Sequence, residues 1–369
     1  MFYYLFNYIN KNFNPPGFDI FRFLSFRSIL SSVTALFISF YFGPKIIRLL
    51  QKNQIGENVK IEGPKSHAEK AGTPTMGGII IIISVFVPTL LWSDLLSVYI
   101  ILVSFGTLFL FGIGFLDDYL KVIKKLPKGL IARYKLLGQV FVGLVVGLVI
   151  YYLPEFSQYN TQTTLPFFKN LNFDFGYLYV PVVIFIITAT SNAVNLTDGL
   201  DGLAMGTLIF VMLALAVMSY VSGNVIYSDY LNIVYLKGSG ELTVFIAAIV
   251  GAGLGFLWFN FYPAQVFMGD TGSLALGGAL GIISILIKKE LLLPILGGIY
   301  FMETTSVIIQ RLYFKYTKRK YGEGKRVFLM SPVHHHFELL GWEEPKIVMR
   351  FYIITIILVL ISLASFKIR

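Results

Sequence analysis

Ser191-Asn192-Ala193-Val194-Asn195-Leu196-Thr197-Asp198-Gly199-Leu200-Asp201-Gly202-Leu203-Ala204 lies between two apolar runs, Val180 to Ala189 and Leu203 to Val221. Its amides and carboxylates fall at 192, 195, 198 and 201. A step of three residues turns ~300° on a helix, so one continuous helix would scatter these groups around its circumference. The Asp-Gly pairs at 198–199 and 201–202 argue instead for a short turn between two helices, with its polar groups pointing into one pocket. For a single Asn-x-x-Asp-Gly, a capped turn is the ordinary reading. Four such groups at the edge of apolar segments, with further acidic clusters elsewhere, point to a functional site.

Outward from this stretch the chain is unusually apolar. Its 369 residues are 56% hydrophobic and 14% charged, with a mean hydropathy of +0.73, whereas soluble domains carry about 25% charged residues. Apolar runs predict ten spans, near 24–43, 76–92, 98–117, 136–153, 177–194, 203–222, 242–259, 271–287, 291–314 and 346–366. The expected fold is an all-α polytopic integral membrane protein, with residues 1–369 forming a single transmembrane catalytic domain. Residues 1–20, aromatic and Asn-rich with Pro15-Pro16-Gly17, read as an interfacial lead-in. Met1 to Phe26 lacks the early basic residue, apolar core and small-residue cleavage site of a signal peptide, so none is expected. Cysteine is absent, which excludes disulfides and thiolate chemistry.

Basic residues set the orientation. One group of connections holds Lys45, Arg48, Lys52, Lys60, Lys65 and Lys70, then Lys121, Lys124, Lys125, Lys128, Arg133 and Lys135. Arg311, Lys315, Lys318, Arg319, Lys320, Lys325, Arg326, Lys346 and Arg350 bring that side to 21 of the 30 basic residues. It is expected to be cytoplasmic, with both termini periplasmic, as an even number of spans requires. The net charge of +10 is therefore a topology signal, and nucleic-acid binding is not expected. Every polar cluster of interest falls on this side, so an active-site cleft is expected at the cytoplasmic face.

Four more clusters accompany the opening one. Lys70-Ala71-Gly72-Thr73-Pro74-Thr75-Met76-Gly77-Gly78 leads from a basic loop into a span, and glycines, hydroxyls and a lysine at a helix start suit an anion. Asp117-Asp118 closes a strongly apolar span. Such acids oppose the helix dipole and repel each other, which a divalent cation relieves. Asn260 to Ser273 contains Phe267-Met268-Gly269-Asp270-Thr271-Gly272. There Asp270 can cap the next helix or face a hard cation, and Phe267 can stack on a base or pack in the interface. Ser331-Pro332-Val333-His334-His335-His336-Phe337-Glu338 holds three of the four histidines, the other being His67. Consecutive histidines lack zinc-helix spacing, so phosphate binding by imidazole donors fits better than zinc. Glu303, inside the ninth span, has no partner evident in the sequence.

Together these five segments resemble the polyprenyl-phosphate N-acetylhexosamine-1-phosphate transferase superfamily, most closely its phospho-N-acetylmuramoyl-pentapeptide transferase branch. The resemblance covers nearly the whole chain. It implies a Mg²⁺-dependent enzyme (Mn²⁺ being possible) of the bacterial cytoplasmic membrane, acting in peptidoglycan synthesis. Phospho-N-acetylmuramoyl-pentapeptide would pass from its UDP carrier to undecaprenyl phosphate, releasing UMP and forming lipid I. By resemblance, Asp270 ligates the metal, and Asp117, Asp118, Asp270 and His334 form the catalytic centre. Lys70, Leu196, Asp198, Gly199, Asp201, Asn260 and Phe267 line the nucleoside site, Thr75 and Asn195 match motif positions at the pocket, and His335 and His336 join the substrate-binding set. A homodimer is also implied. Two alternatives remain at this level: an N-acetylglucosamine-1-phosphate transferase of the same superfamily, and an ion-coupled transporter. Transporter sites tend to lie near mid-membrane, whereas these clusters gather at one face.

Overall fold

The computed structural model describes residues 1–53, 70, 72–126, 129–168 and 171–365. Lys60, Lys65, His67, Ala71, Lys128 and the end of the tenth expected span at 366 lie outside the described residues. In chain order the helices begin with α1 (Phe2–Phe13), α2 (Leu24–Lys52), α3 (Gly78–Trp92), α4 (Val98–Val122) and α5 (Ala132–Tyr152). Next come α6 (Tyr179–Thr197), α7 (Leu203–Ser222), α8 (Val225–Leu231), α9 (Leu242–Asn260) and α10 (Gly269–Leu286). The chain ends with α11 (Leu293–Leu296), α12 (Gly298–Tyr321), α13 (Val333–Leu339) and α14 (Glu344–Ala364). One small hairpin departs from the all-helical expectation: β1 (Gln162–Thr164) pairs antiparallel with β2 (Asn172–Asp174), Thr163 opposite Phe173.

Among the described residues, eight helices are long and apolar enough to cross a membrane: α2, α4, α5, α6, α7, α9, α10 and α14. The expected ninth span, 291–314, is not one straight helix. Residues Glu290–Leu296 and Gly298–Tyr321 meet at 83°, and taking the pair as one span brings the total to nine. Pro294 supplies no amide hydrogen and Gly297-Gly298 follows it, a combination that ends one helix and lets the next leave in a new direction. The expected second span is α3, which at 15 residues reaches about 22 Å, short of a hydrocarbon core of ~30 Å.

The most buried helix is α10, which packs on α4, α6 and α3. Its closeness to them is a matter of missing side chains. A Cβ on Gly78 at the start of α3 would lie 2.2 Å from the Gly272 nitrogen, and one on Gly114 of α4 would lie 2.0 Å from the Asp270 carbonyl oxygen. Small residues let helix backbones touch where lipid offers no hydrophobic drive to bring them together. The first contact seats the start of α10 on α3, and the second sets it against the half of α4 that carries Asp117 and Asp118, so Asp270 meets both acids.

Candidate active site

Carboxylate oxygens of Asp117, Asp118 and Asp270 lie within 4.8 Å of one another. Each has a different set of partners. Both Asp118 oxygens accept from the first turn of α10: Oδ1 from the Asp270 amide at 3.3 Å, Oδ2 from the Thr271 amide at 2.8 Å and the Thr271 hydroxyl at 2.6 Å. Asp118 therefore caps α10 from a neighbouring helix, filling amides that a helix start leaves open. Asp270, the expected alternative cap, is released from that duty. Its Oδ1 accepts from Asn195 Nδ2 at 2.8 Å, and that amide also reaches Ser273 Oγ at 2.7 Å. Its Oδ2 faces Lys135 Nζ at 2.5 Å and Lys121 Nζ at 3.4 Å. Asp117, fully buried, accepts from the Leu130 amide at 2.7 Å and pairs with the same two lysines, Lys135 at 2.7 Å and Lys121 closer still.

Three carboxylates form an all-oxygen set, the chemistry that hard dications select. Two ammonium groups offset part of that charge, on partly exposed side chains, Lys121 at 38% and Lys135 at 20% side-chain exposure. The residues therefore fit a divalent cation: the acids are fixed by helices, and the counter-charges sit on flexible stems that can leave.

A second group forms around Lys70, whose Nζ lies 2.5 Å from Asp201 Oδ1 and 2.6 Å from Glu344 Oε1. Burial alone would lower the Lys70 pKa, but the Glu344 and Asp201 carboxylates more than offset it and hold the ammonium above the ordinary lysine value. Glu344 Oε1 also accepts the Asp201 amide at 2.6 Å, and Asp201 Oδ2 accepts the Ala264 amide at 2.9 Å. Asn260 ties the same turns together, accepting from the Gly202 amide at 3.2 Å and donating to the Val266 carbonyl at 2.9 Å. The Phe267 ring stands 5.9 Å from Lys70 Nζ, and backbone bonds from Phe267 to Pro74 and from Gly77 to Phe267 join the loop before α3 to the loop before α10. Thr75, buried on that seam, faces Gly269: a Cβ there would lie 2.8 Å from Thr75 Oγ1.

The end of α6 and the turn after it thread these groups. Asn195, in the last turn of α6, reaches the acidic centre, and Asp201, on the turn, reaches Lys70. Between them, an added Cβ on Gly199 would lie 2.2 Å from His334 Nε2. Leu196, in the last turn of α6, and Asp198, just after it, are half-buried. The expected inter-helix turn is present but shorter than the polar stretch: residues through Thr197 continue α6, the turn is confined to 198–202, and Asn192 points elsewhere, donating to Gln139 and the Thr188 carbonyl. His334 is fully buried, whereas His335 pairs with Glu338 at 2.7 Å and His336 Nδ1 accepts the Leu329 amide at 3.1 Å.

Lys121, Lys135, Thr271 and Glu344 escaped the sequence reading. Both lysines counted only as topology residues, although Lys121 stands four residues after Asp117 on α4, a spacing that pairs an acid with a lysine; nothing in the sequence ties Lys135 to the site. Glu344 opens α14 and belongs to none of the motifs singled out in the sequence.

Fold and site define a polytopic membrane transferase, and comparison with known proteins agrees. Residues 100–288 match the model of glycosyl transferase family 4. Residues 70–82 match the first signature of phospho-N-acetylmuramoyl-pentapeptide transferase. Proteins of that name from Pelodictyon phaeoclathratiforme and Chlorobium limicola are each 53% identical over 369 residues, covering all of both chains. The one from Chloroherpeton thalassium is 51% identical over the same full length. The chain belongs to the phospho-N-acetylmuramoyl-pentapeptide transferase family.

Proposed function

We propose that the acidic centre is where phospho-N-acetylmuramoyl-pentapeptide passes from its UDP carrier to undecaprenyl phosphate, releasing UMP and leaving lipid I. The observation that carries this is the meeting of Asp117, Asp118, Asp270 and Asn195 beside two lysines that can be displaced. Asp270 and Asp117 would hold Mg²⁺ or Mn²⁺, whose contribution when bound is to neutralise and polarise the donor pyrophosphate. Lys121 and Lys135 turn from carboxylate to phosphate oxygens as the donor enters, and Lys70, Asp201, Asn260 and Phe267 receive the nucleoside. Thr75, Leu196, Asp198 and Gly199 complete the wall, with His334 set toward the phosphates and His335 and His336 supporting it. An oxygen of the lipid phosphate attacks the β-phosphorus, and the bond to the UMP oxygen breaks. A phosphate monoester has its second pKa at about 6 and is mostly dianionic at pH 7, so Asp117 positions the acceptor and need not be a strong base. Asp118 keeps Asp270 in place through its hold on α10.

The same reading makes residues 1–369 one catalytic domain in the bacterial cytoplasmic membrane, with the site at the cytoplasmic face, both termini periplasmic, and two copies forming a dimer. Purified protein given both substrates should release UMP only when a divalent cation is present. UMP release unaffected by chelation would remove the metal. A cysteine replacing Tyr321 should label from the cytoplasmic side alone; labelling from outside intact cells would reverse the orientation.

A further inference from the structure

Glu303 lies on α12 and is fully buried. A carboxylate within a membrane helix costs roughly 2.5–3.5 kcal/mol on insertion scales, so something must hold it there. Its close contact is His334 Nδ1, 3.1 Å from Oε1; among the described residues neither carboxylate oxygen has an aligned hydrogen bond. The histidine is equally enclosed. Val333 beside it packs into the small apolar cluster of Leu200, Leu203, Ile299, Ile347 and Phe351, which fixes how α13 sits. The His335 ring covers one side at a centroid distance of 4.1 Å. With Nδ1 toward Glu303, the opposite atom, Nε2, faces Gly199 on the turn that carries Asp201 and directly follows the α6 end bearing Asn195. Only a residue without a side chain leaves that approach open.

We propose that Glu303 is a positioning residue for His334, fixing Nδ1 so that Nε2 is presented to the phosphate-bearing site. It rests on the transferase reading above. A carboxylate behind an imidazole sets both ring orientation and which nitrogen carries the proton. The other two histidines of the cluster have local partners, Glu338 and the Leu329 amide. His334, by contrast, faces an acid from a different span, and neither oxygen of that acid has an aligned hydrogen bond among the described residues.

The test uses the full chain in detergent. Glu303→Gln keeps shape and removes the charge. It should lower kcat for UMP release about 10–100-fold, with KM for both substrates within about twofold and the melting temperature unchanged. Glu303→Asp should recover part of the rate. Glu303→Gln combined with His334→Ala should be no slower than His334→Ala alone, because the acid acts through the ring. Nitrogen-15 spectra of labelled histidine supply an arm independent of turnover: a ring protonated at Nδ1 in the wild type should lose that signature in Glu303→Gln. A Glu303→Gln rate within twofold of wild type, losses that multiply in the double variant, or an unchanged histidine signature would each overturn the proposal. Wild-type protein that releases no UMP would count against the transferase reading instead, and the spectra would still decide the pairing.

Discussion

Charges buried at the two ends of α10 are treated differently. At the acidic centre, Asp117, Asp118 and Asp270 face Lys121 and Lys135, so charge is met by charge on side chains that reach solvent. At the connection between α10 and α11, Lys288, Lys289 and Glu290 are 2%, 5% and 4% exposed. There the cations are met mainly by neutral groups: Lys288 donates to the Asn160 carbonyl at 3.0 Å and to Tyr179 Oη at 2.8 Å, and Lys289 donates to Thr164 Oγ1 at 3.0 Å. A shallow pocket lined by Tyr159, Gln162, Thr163 and Lys288 borders them. The contrast separates two uses of buried charge. Mobile counter-ions around fixed acids can be exchanged for a ligand, whereas cations bonded to a hairpin and a loop pin those segments to the bundle.

The largest effect that tests this difference is at Asp270. Asn and Asp cap helices about equally well, and Asp118 already caps α10. Asp270→Asn should therefore melt like the wild type while losing roughly 10²–10³-fold in divalent-dependent UMP release. Near-normal turnover across a range of Mg²⁺ would remove Asp270 from the metal site and erase the distinction between Asp270 and Asp118. Lys135→Met comes next. Removing a counter-charge should lower the Mg²⁺ needed for half-maximal rate, while loss of a phosphate partner lowers kcat/KM for the UDP donor by about 10²-fold. A fall in rate with no change in Mg²⁺ requirement would mean that the lysine never leaves the acids.

These two predictions involve residues of unequal legibility. Most spans, the turn within 191–204 and the acids at 117, 118 and 270 could be read because apolar period, Asp-Gly punctuation and intramembrane charge are local signals. Lys121 left a local trace in its i,i+4 spacing from Asp117 that went unused, whereas Lys135 left none, because a lysine beside a cytoplasmic loop looks the same whether it faces water or a carboxylate on another helix. The division of labour between Asp118 and Asp270 depends on the close approach of Gly114 to α10, a fact of packing. The break in the ninth span is a different sort of miss: Leu293-Pro294-Ile295-Leu296-Gly297-Gly298 carries the Pro and Gly signals for it, and the apolar average over 291–314 hid them.

A smaller effect is expected at Glu344, which shares Lys70 with Asp201. Glu344→Gln keeps an acceptor for the Asp201 amide and removes one of two charges. A charge-assisted hydrogen bond contributes about 1.5–3 kcal/mol, and 1.4 kcal/mol is tenfold, so KM for the UDP donor should rise about tenfold with kcat little changed. An equal loss in kcat would place Lys70 at the transferring phosphate instead of the nucleoside.

The smallest effect should come from the second cluster, and it should leave chemistry alone. Burial pushes Lys288 down to about 8 from the ordinary 10.5, against the opposing pull of Glu290. The unfolded chain holds this proton up to about 10.5, while the folded protein releases it near 8. Between those values the unfolded state binds more protons, so stability rises with pH. Below 8 the ammonium is charged in both states and its burial costs most. Lys288→Met removes this contribution, so the melting temperature of the wild type should climb relative to the variant by a few degrees as pH goes from 7 to 10. Lys70, shifted upward, loses its contribution only above the ordinary lysine value and does not disturb this window. UMP release by Lys288→Met should stay within about twofold of wild type, since no donor or acceptor of the acidic centre touches it. A pH-independent difference in melting would mean that Lys288 keeps its proton and the cluster is an ion pair with Glu290. A large loss of activity would couple the two ends of α10, and the contrast between exchangeable and pinned charge would no longer hold.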